Sequence, residues 1–124
     1  MSAESIQVSV KAKYIPYRSR EEKNYFFFAY QIHIQNNSPQ SVQLTRRYWL
    51  ITNGMGETQE VEGAGVVGET PTLAPGEAFT YTSACPLDTP IGTMEGHYTM
   101  ITAQQNILHV PIPLFSLQHP TLCH

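Results

Sequence analysis

The chain has 124 residues, of which 41% are hydrophobic and only 14% charged. Average soluble domains carry about 25% charged residues, and disordered chains carry more charge and less apolar content, so disorder is excluded. The formal net charge of −3 offers no global attraction to nucleic acid or to an anionic membrane, and neither is expected as a partner.

The length suits one domain, expected to span residues 1–124. A chain of this size buries roughly two thirds of its unfolded surface and needs no staple. Cys85 and Cys123 form no CxxC pair and no zinc spacing. The first residues carry no basic segment followed by an apolar one, and no apolar run approaches the roughly 20 residues of a membrane span. The expectation is a cytoplasmic protein with reduced thiols, a Cys85–Cys123 disulfide being the minor alternative.

Period-two alternation runs through the chain. Ile6, Val8, Val10, Ala12 and Tyr14 alternate with Gln7, Ser9, Lys11 and Lys13, which predicts a strand with one buried and one wet face. Residues 15–24 are polar and charged and read as a mobile loop. In residues 25–35, Phe26, Phe28, Tyr30, Ile32 and Ile34 share a face. The opposite face begins apolar with Tyr25 and Phe27, so this strand is expected to start buried on both sides.

Asn36-Asn37-Ser38-Pro39 is a turn cluster. A third strand covers residues 42–52, with Val42 and Leu44 on one parity and Trp49 and Ile51 on the other. The switch near residues 45–47 predicts a β-bulge or a strand that changes sheet. Trp49 is expected between the sheets. Asn53-Gly54-Met55-Gly56 then turns into a short strand over residues 58–62.

Residues 63–76 are rich in glycine and proline and read as a long loop closed by Pro75-Gly76. Further strands are expected at 78–84, 93–101 and 107–115. Pro111 and Pro113 cannot donate to a ladder, so the last is expected to be an edge strand or one that frays. About seven short strands without helical periodicity predict an all-β antiparallel sandwich or barrel.

Several stretches resemble the ApaG family. They are Arg47-Tyr48-Trp49-Leu50-Ile51-Thr52-Asn53-Gly54, Val61-Glu62-Gly63-Ala64-Gly65-Val66-Val67-Gly68 and Gly92-Thr93-Met94-Glu95-Gly96-His97-Tyr98. Phe28-Ala29-Tyr30 and Pro120-Thr121-Leu122 fit as well, so the resemblance covers nearly the whole chain. It implies a fibronectin type III-like or immunoglobulin-like β-sandwich. It also implies stand-alone bacterial proteins of undefined biochemical role, loosely associated with cobalt resistance and magnesium efflux. Related domains in eukaryotic F-box proteins and a polymerase-interacting protein serve as interaction modules.

Candidate sites are few. Gly63, Gly65 and Gly68 match G-x-G-x-x-G, but Pro71 and Pro75 interrupt the segment where a helix would have to start, and no βαβ unit exists. These glycines are expected to serve backbone geometry, an anion-binding nest being the alternative. Arg46 and Arg47 are adjacent in a strand and point to opposite faces, so they cannot form one clamp. Among the five histidines, His97 and His109 with Glu95 form a candidate metal set, because a turn at 102–106 sets Thr99 opposite His109. Ordinary half-exposed strand histidines are the commoner reading. His124 and Cys123 adjoin at a terminus, Asp88 is the sole aspartate, and no nucleophile elbow appears.

The sequence calls for no cofactor and no catalysis. The first expectation is a binding module for an unidentified protein partner, helped by Tyr14, Tyr17, Tyr25 and Phe27 around the first long loop. Self-association is left open. The second expectation is a sensor that takes a phosphorylated nucleotide, pyrophosphate or a divalent metal at residues 63–68.

Overall fold

In the computed structural model, which describes residues 3–122, the period-two segments form eight strands, all paired antiparallel. They are β1 (Ile6–Tyr14), β2 (Phe26–Asn36), β3 (Val42–Asn53), β4 (Thr58–Ala64), β5 (Thr72–Leu73), β6 (Ala78–Leu87), β7 (Ile91–Thr102) and β8 (Ile107–Gln118). Two sheets face each other. One has the order β1-β2-β6, and the other β4-β3-β7-β8 with β5 also paired to β3. The architecture is the all-β sandwich expected, with eight strands rather than about seven. The added strand, β5, lies inside the segment read as a long loop, where Val42 and Gln43 hold Leu73 and Thr72 in register. The only helical turns among the described residues are three 3-10 turns of three residues each, and no helix there is long and apolar enough to cross a membrane.

The core follows the alternation. Phe28, Ile32 and Ile34 of β2 face Leu44, Met94, Tyr98, Met100 and Val110 of the other sheet, all fully buried. Asn36, also fully buried, ends β2. Its amide nitrogen donates to the Gln40 and Leu73 carbonyls, and its Oδ1 accepts from the Ser38 backbone and hydroxyl. The Asn36–Pro39 cluster therefore turns the chain without leaving this buried side chain unpaired.

The parity switch in β3 is a bulge: the β3–β7 register shifts between Leu44 and Arg46. A second irregularity lies between Met94 and Gly96 on the β7–β8 pairing, where Pro113 and Leu114 stand opposite Glu95 alone. β8 is an edge strand, as its prolines require, and Pro113 sits in this bulge. The expectation of a β2 start buried on both sides does not hold. Tyr25 is 40% exposed and Phe27 half-buried, because what lies over Phe27 on this face is the Arg18 guanidinium and not an apolar layer.

Trp49 is 3% exposed and packs edge-on against Tyr30 and Phe115, with centroids 5.5 and 5.9 Å away. Trp49→Ala is expected to destabilise the fold by about 3–5 kcal/mol, read as a lower midpoint in urea unfolding. A loss under about 1 kcal/mol would contradict this packing.

Candidate functional site

The glycine-rich segment does not form one loop. Gly63 is still in β4, paired with Arg47, and its φ is not positive. Its lack of a side chain leaves room for the Arg47 guanidinium, which a Cβ would meet at 3.1–3.3 Å. Gly65 has φ +64°, and a Cβ there would fall on the Glu69 carbonyl oxygen. Val66 and Glu69 exchange backbone hydrogen bonds of 2.8 and 2.9 Å, with Val67 (φ +43°) and Gly68 (φ +81°) between them. Two central residues at positive φ are the mark of a type I′ turn. The N–H groups of Gly65, Val66 and Glu69 all point at carbonyl oxygens, on Thr45, Glu69 and Val66 respectively.

Arg47 reaches into this turn. Its Nη1 donates to the Ala64 and Gly65 carbonyls, at 3.0 Å each. Arg46 lies on the other parity, exposed and opposite Thr99. The structure thus brings Gly63, Gly65 and Arg47 together, sets Gly68 nearby and leaves Arg46 apart.

Arg47 also lines the open side of the sandwich, between the free edges of β4 and β6. Two adjoining cavities of about 230 and 260 Å³ share Tyr30, Arg47, Trp49 and Ser83 as walls. Val66, Val67, Gly68 and Tyr81 complete the first, and Gln59, Val61 and Met94 extend the second. A third cleft of about 450 Å³ continues past Ile51, Gln59 and Pro86 to Asn53, Asp88 and Tyr25. The result is a furrow along β6. At its wall, Tyr81 and Tyr98 share a buried hydrogen bond, and burial pushes both phenols up. Burial likewise raises the Cys85 thiol to about 11, which keeps it protonated and inert. Cys123 and His124 lie outside the described residues.

On the outer face of the larger sheet, Tyr48 stacks on His97 (5.1 Å) and His97 meets His109 edge-on (5.4 Å). Thr99 pairs with His109 as the turn required. The Tyr48 hydroxyl donates to Glu60 at 3.0 Å; that bond first, then desolvation and the charges of Glu60, Glu62 and Glu95, raises the phenol. His97 and His109 make a ring contact. Among the described residues no group of three or more His, Cys, Asp or Glu side chains is placed to hold a metal ion, so Glu95, His97 and His109 do not assemble as a ligand set.

The segment 15–24, read as a mobile loop, is tied down. Its two 3-10 turns, Pro16–Arg18 and Glu21–Lys23, are followed by Asn24 in the left-handed region. The Ser19 hydroxyl donates to the Ile15 carbonyl and accepts the Phe27 N–H. Glu21 Oε2 accepts the Tyr14 hydroxyl at 2.6 Å and lies 3.0 Å from His119 Nε2. His119 Nδ1 accepts from the Thr121 and Leu122 backbone, which leaves the proton on Nε2 to face Glu21. The hydrogen bonds from Tyr14 and then His119 hold the Glu21 carboxyl below its ordinary range, while burial and Glu21 raise Tyr14. No local pattern marks this contact, which spans 98 residues of sequence. On the fixed loop, Tyr17 is 85% exposed, and Arg18 lies over Phe27, 4.7 Å from the ring centre.

The profile of the ApaG domain matches residues 16–102. A Protein ApaG of Acidithiobacillus ferrooxidans is 49% identical over 96% of this chain and 94% of its own length. One from Pectobacterium atrosepticum is 45% identical over 100% and 99%. A crystal structure of a Bordetella pertussis protein designated ApaA superposes with a TM-score of 0.91 at 45% identity, covering 94% of each chain.

Two outcomes are expected from this geometry. Gly65→Ala should cost clearly more stability than Gly68→Ala. Both incur the left-handed penalty of about 1–2 kcal/mol, but only Gly65 also has a backbone oxygen in the way. Equal midpoints in denaturant would remove the steric part of the account. The second concerns pH. Because the folded state lowers the Glu21 pKa, its contribution is present above the unfolded value of about 4.3 and is lost as pH falls through the folded one. Glu21→Gln should therefore melt below wild type at neutral pH, with the gap closing as pH drops below about 4. A gap independent of pH would exclude a carboxylate contribution.

Proposed function

The chain belongs to the ApaG family, and on that premise we propose that it is a non-enzymatic module, acting as one unit in the cytoplasm, that binds a protein partner. The observation that carries this reading is the pairing of exposed aromatics with a fixed scaffold. Tyr17 and Tyr25 are 85% and 40% exposed, on a segment held by the Tyr14–Glu21–His119 contact and by Ser19. Aromatic rings on a preordered loop lose little conformational freedom on binding, and tyrosine is enriched at interfaces. Phe27 under Arg18 extends the patch, so an apolar or aromatic partner surface with an acidic rim fits it.

The alternative, a nucleotide or pyrophosphate held by residues 63–68, has weaker support. Three N–H groups that an anion nest would use are directed at carbonyl oxygens, and Glu62 and Glu69 flank the turn.

The test is capture from lysate with wild type and with Tyr17→Ser/Tyr25→Ser as bait. The double variant is expected to melt with the wild type and to lose specific partners. Recovery of the same proteins at the same yield by both baits would reject the aromatic surface.

A further inference from the structure

We infer that the cleft at Arg47 is a binding site for a small apolar monocarboxylate, with the carboxylate on the guanidinium and an aromatic or aliphatic body between the sheets. The cation is placed in advance. Nη1 is held by two carbonyl oxygens, and Gly63 leaves room for the plane of the guanidinium. Those acceptors are neutral, and the sole ion pair among the described residues is His119–Glu21. A half-buried guanidinium bonded only to neutral oxygens keeps its charge uncompensated and retains donors for a planar anion.

The walls select the ligand class. Beside Arg47 stand the rings of Tyr30, Trp49 and Tyr81 and the Ser83 hydroxyl, and the adjoining cavity continues over Val61 and Met94. Concave sites with apolar walls and a few convergent polar groups suit small organic ligands. One cation in such walls balances one negative charge; a phosphate or pyrophosphate brings more charge than a single guanidinium neutralises. The Gly65, Val66 and Glu69 N–H groups of the neighbouring turn are already bonded to carbonyl oxygens, so those three add no donor for such an anion. The far end of the furrow carries Glu57 and Asp88, which directs an anion to the Arg47 end. This site does not depend on the protein-binding surface at Tyr17 and Tyr25, and either can fail alone.

The chain has one tryptophan, and it lines the cleft, so its fluorescence reports occupancy. Phenylacetate, phenylacetamide and inorganic pyrophosphate would each be titrated into the full chain up to roughly 10 mM, where millimolar binding is still visible. Phenylacetate is expected to change the Trp49 emission saturably. The isosteric amide should do so at least tenfold more weakly, and pyrophosphate should do so weakly or not at all. Arg47→Gln should lose the response to phenylacetate. Because this variant also loses the Ala64 and Gly65 contacts, the wild type would be mapped in parallel by amide chemical shifts. Phenylacetate should move the Val66, Val67, Gly68 and Ser83 resonances in particular. Three titration results would overturn the inference: no saturable response to phenylacetate, equal binding of acid and amide, or tighter binding of pyrophosphate. Shifts confined to residues away from the cleft would do the same.

Discussion

One extra residue in β3 governs what the open side of the sandwich contains. A strand alternates faces, so a one-residue slip exchanges every inward and outward side chain beyond it. Val42 and Leu44 face the core before the bulge at Thr45; Arg47, Trp49 and Ile51 face inward after it. Without the bulge, Trp49 would lie in water and Arg46 would enter the core, where an unpaired charge is strongly unfavourable. Thr45 secures its own irregularity. Its hydroxyl donates to the Thr99 carbonyl at 3.1 Å, and its carbonyl accepts the Gly65 N–H at 2.8 Å. The bulge therefore places the indole, the guanidinium and the start of the glycine turn in one step.

A close backbone approach supports this arrangement. Gly96, opposite Trp49 in register, leaves no room for a Cβ, which would fall on the Tyr48 carbonyl oxygen. β3 and β7 can lie this close only with glycine there, and the second bulge begins at the same point on the other side of β7. Glycine at this position serves approach rather than a positive φ, as does Gly63 beneath Arg47.

The strands were legible because burial on one face imposes period two, and the β3 bulge was legible because it reverses the parity of apolar residues. Features held by distant partners left no such trace. β5 is two residues long and exists only where Val42 and Gln43 offer it an edge. The order in residues 15–24 depends on His119, at the far end of the chain, and polar composition alone reads as mobility. In the glycine segment the positive φ at Gly65 and Gly68 follows from residue type, but Val67 at φ +43° does not. The choice between Arg46 and Arg47 followed from alternation only once the bulge fixed which parity faces inward.

Val67 shows how the turn is kept in place. A β-branched residue in the left-handed region is strained, and such strain persists only where the surroundings determine it. Here Val66 is buried against the core on one side, and the Val66–Glu69 pair closes the turn on the other. The Val67 side chain is left 54% exposed at the mouth of the Arg47 cleft. From that point the furrow follows the β6 edge to Pro86 and on to Tyr25, so the strained turn and the aromatic loop mark its two ends. Each end is fixed by its own contacts, the turn by Arg47 and the loop by Glu21. A ligand at one end thus meets a surface already shaped, and any effect on the other end has to pass through the shared walls formed by Ile51, Gln59 and Pro86.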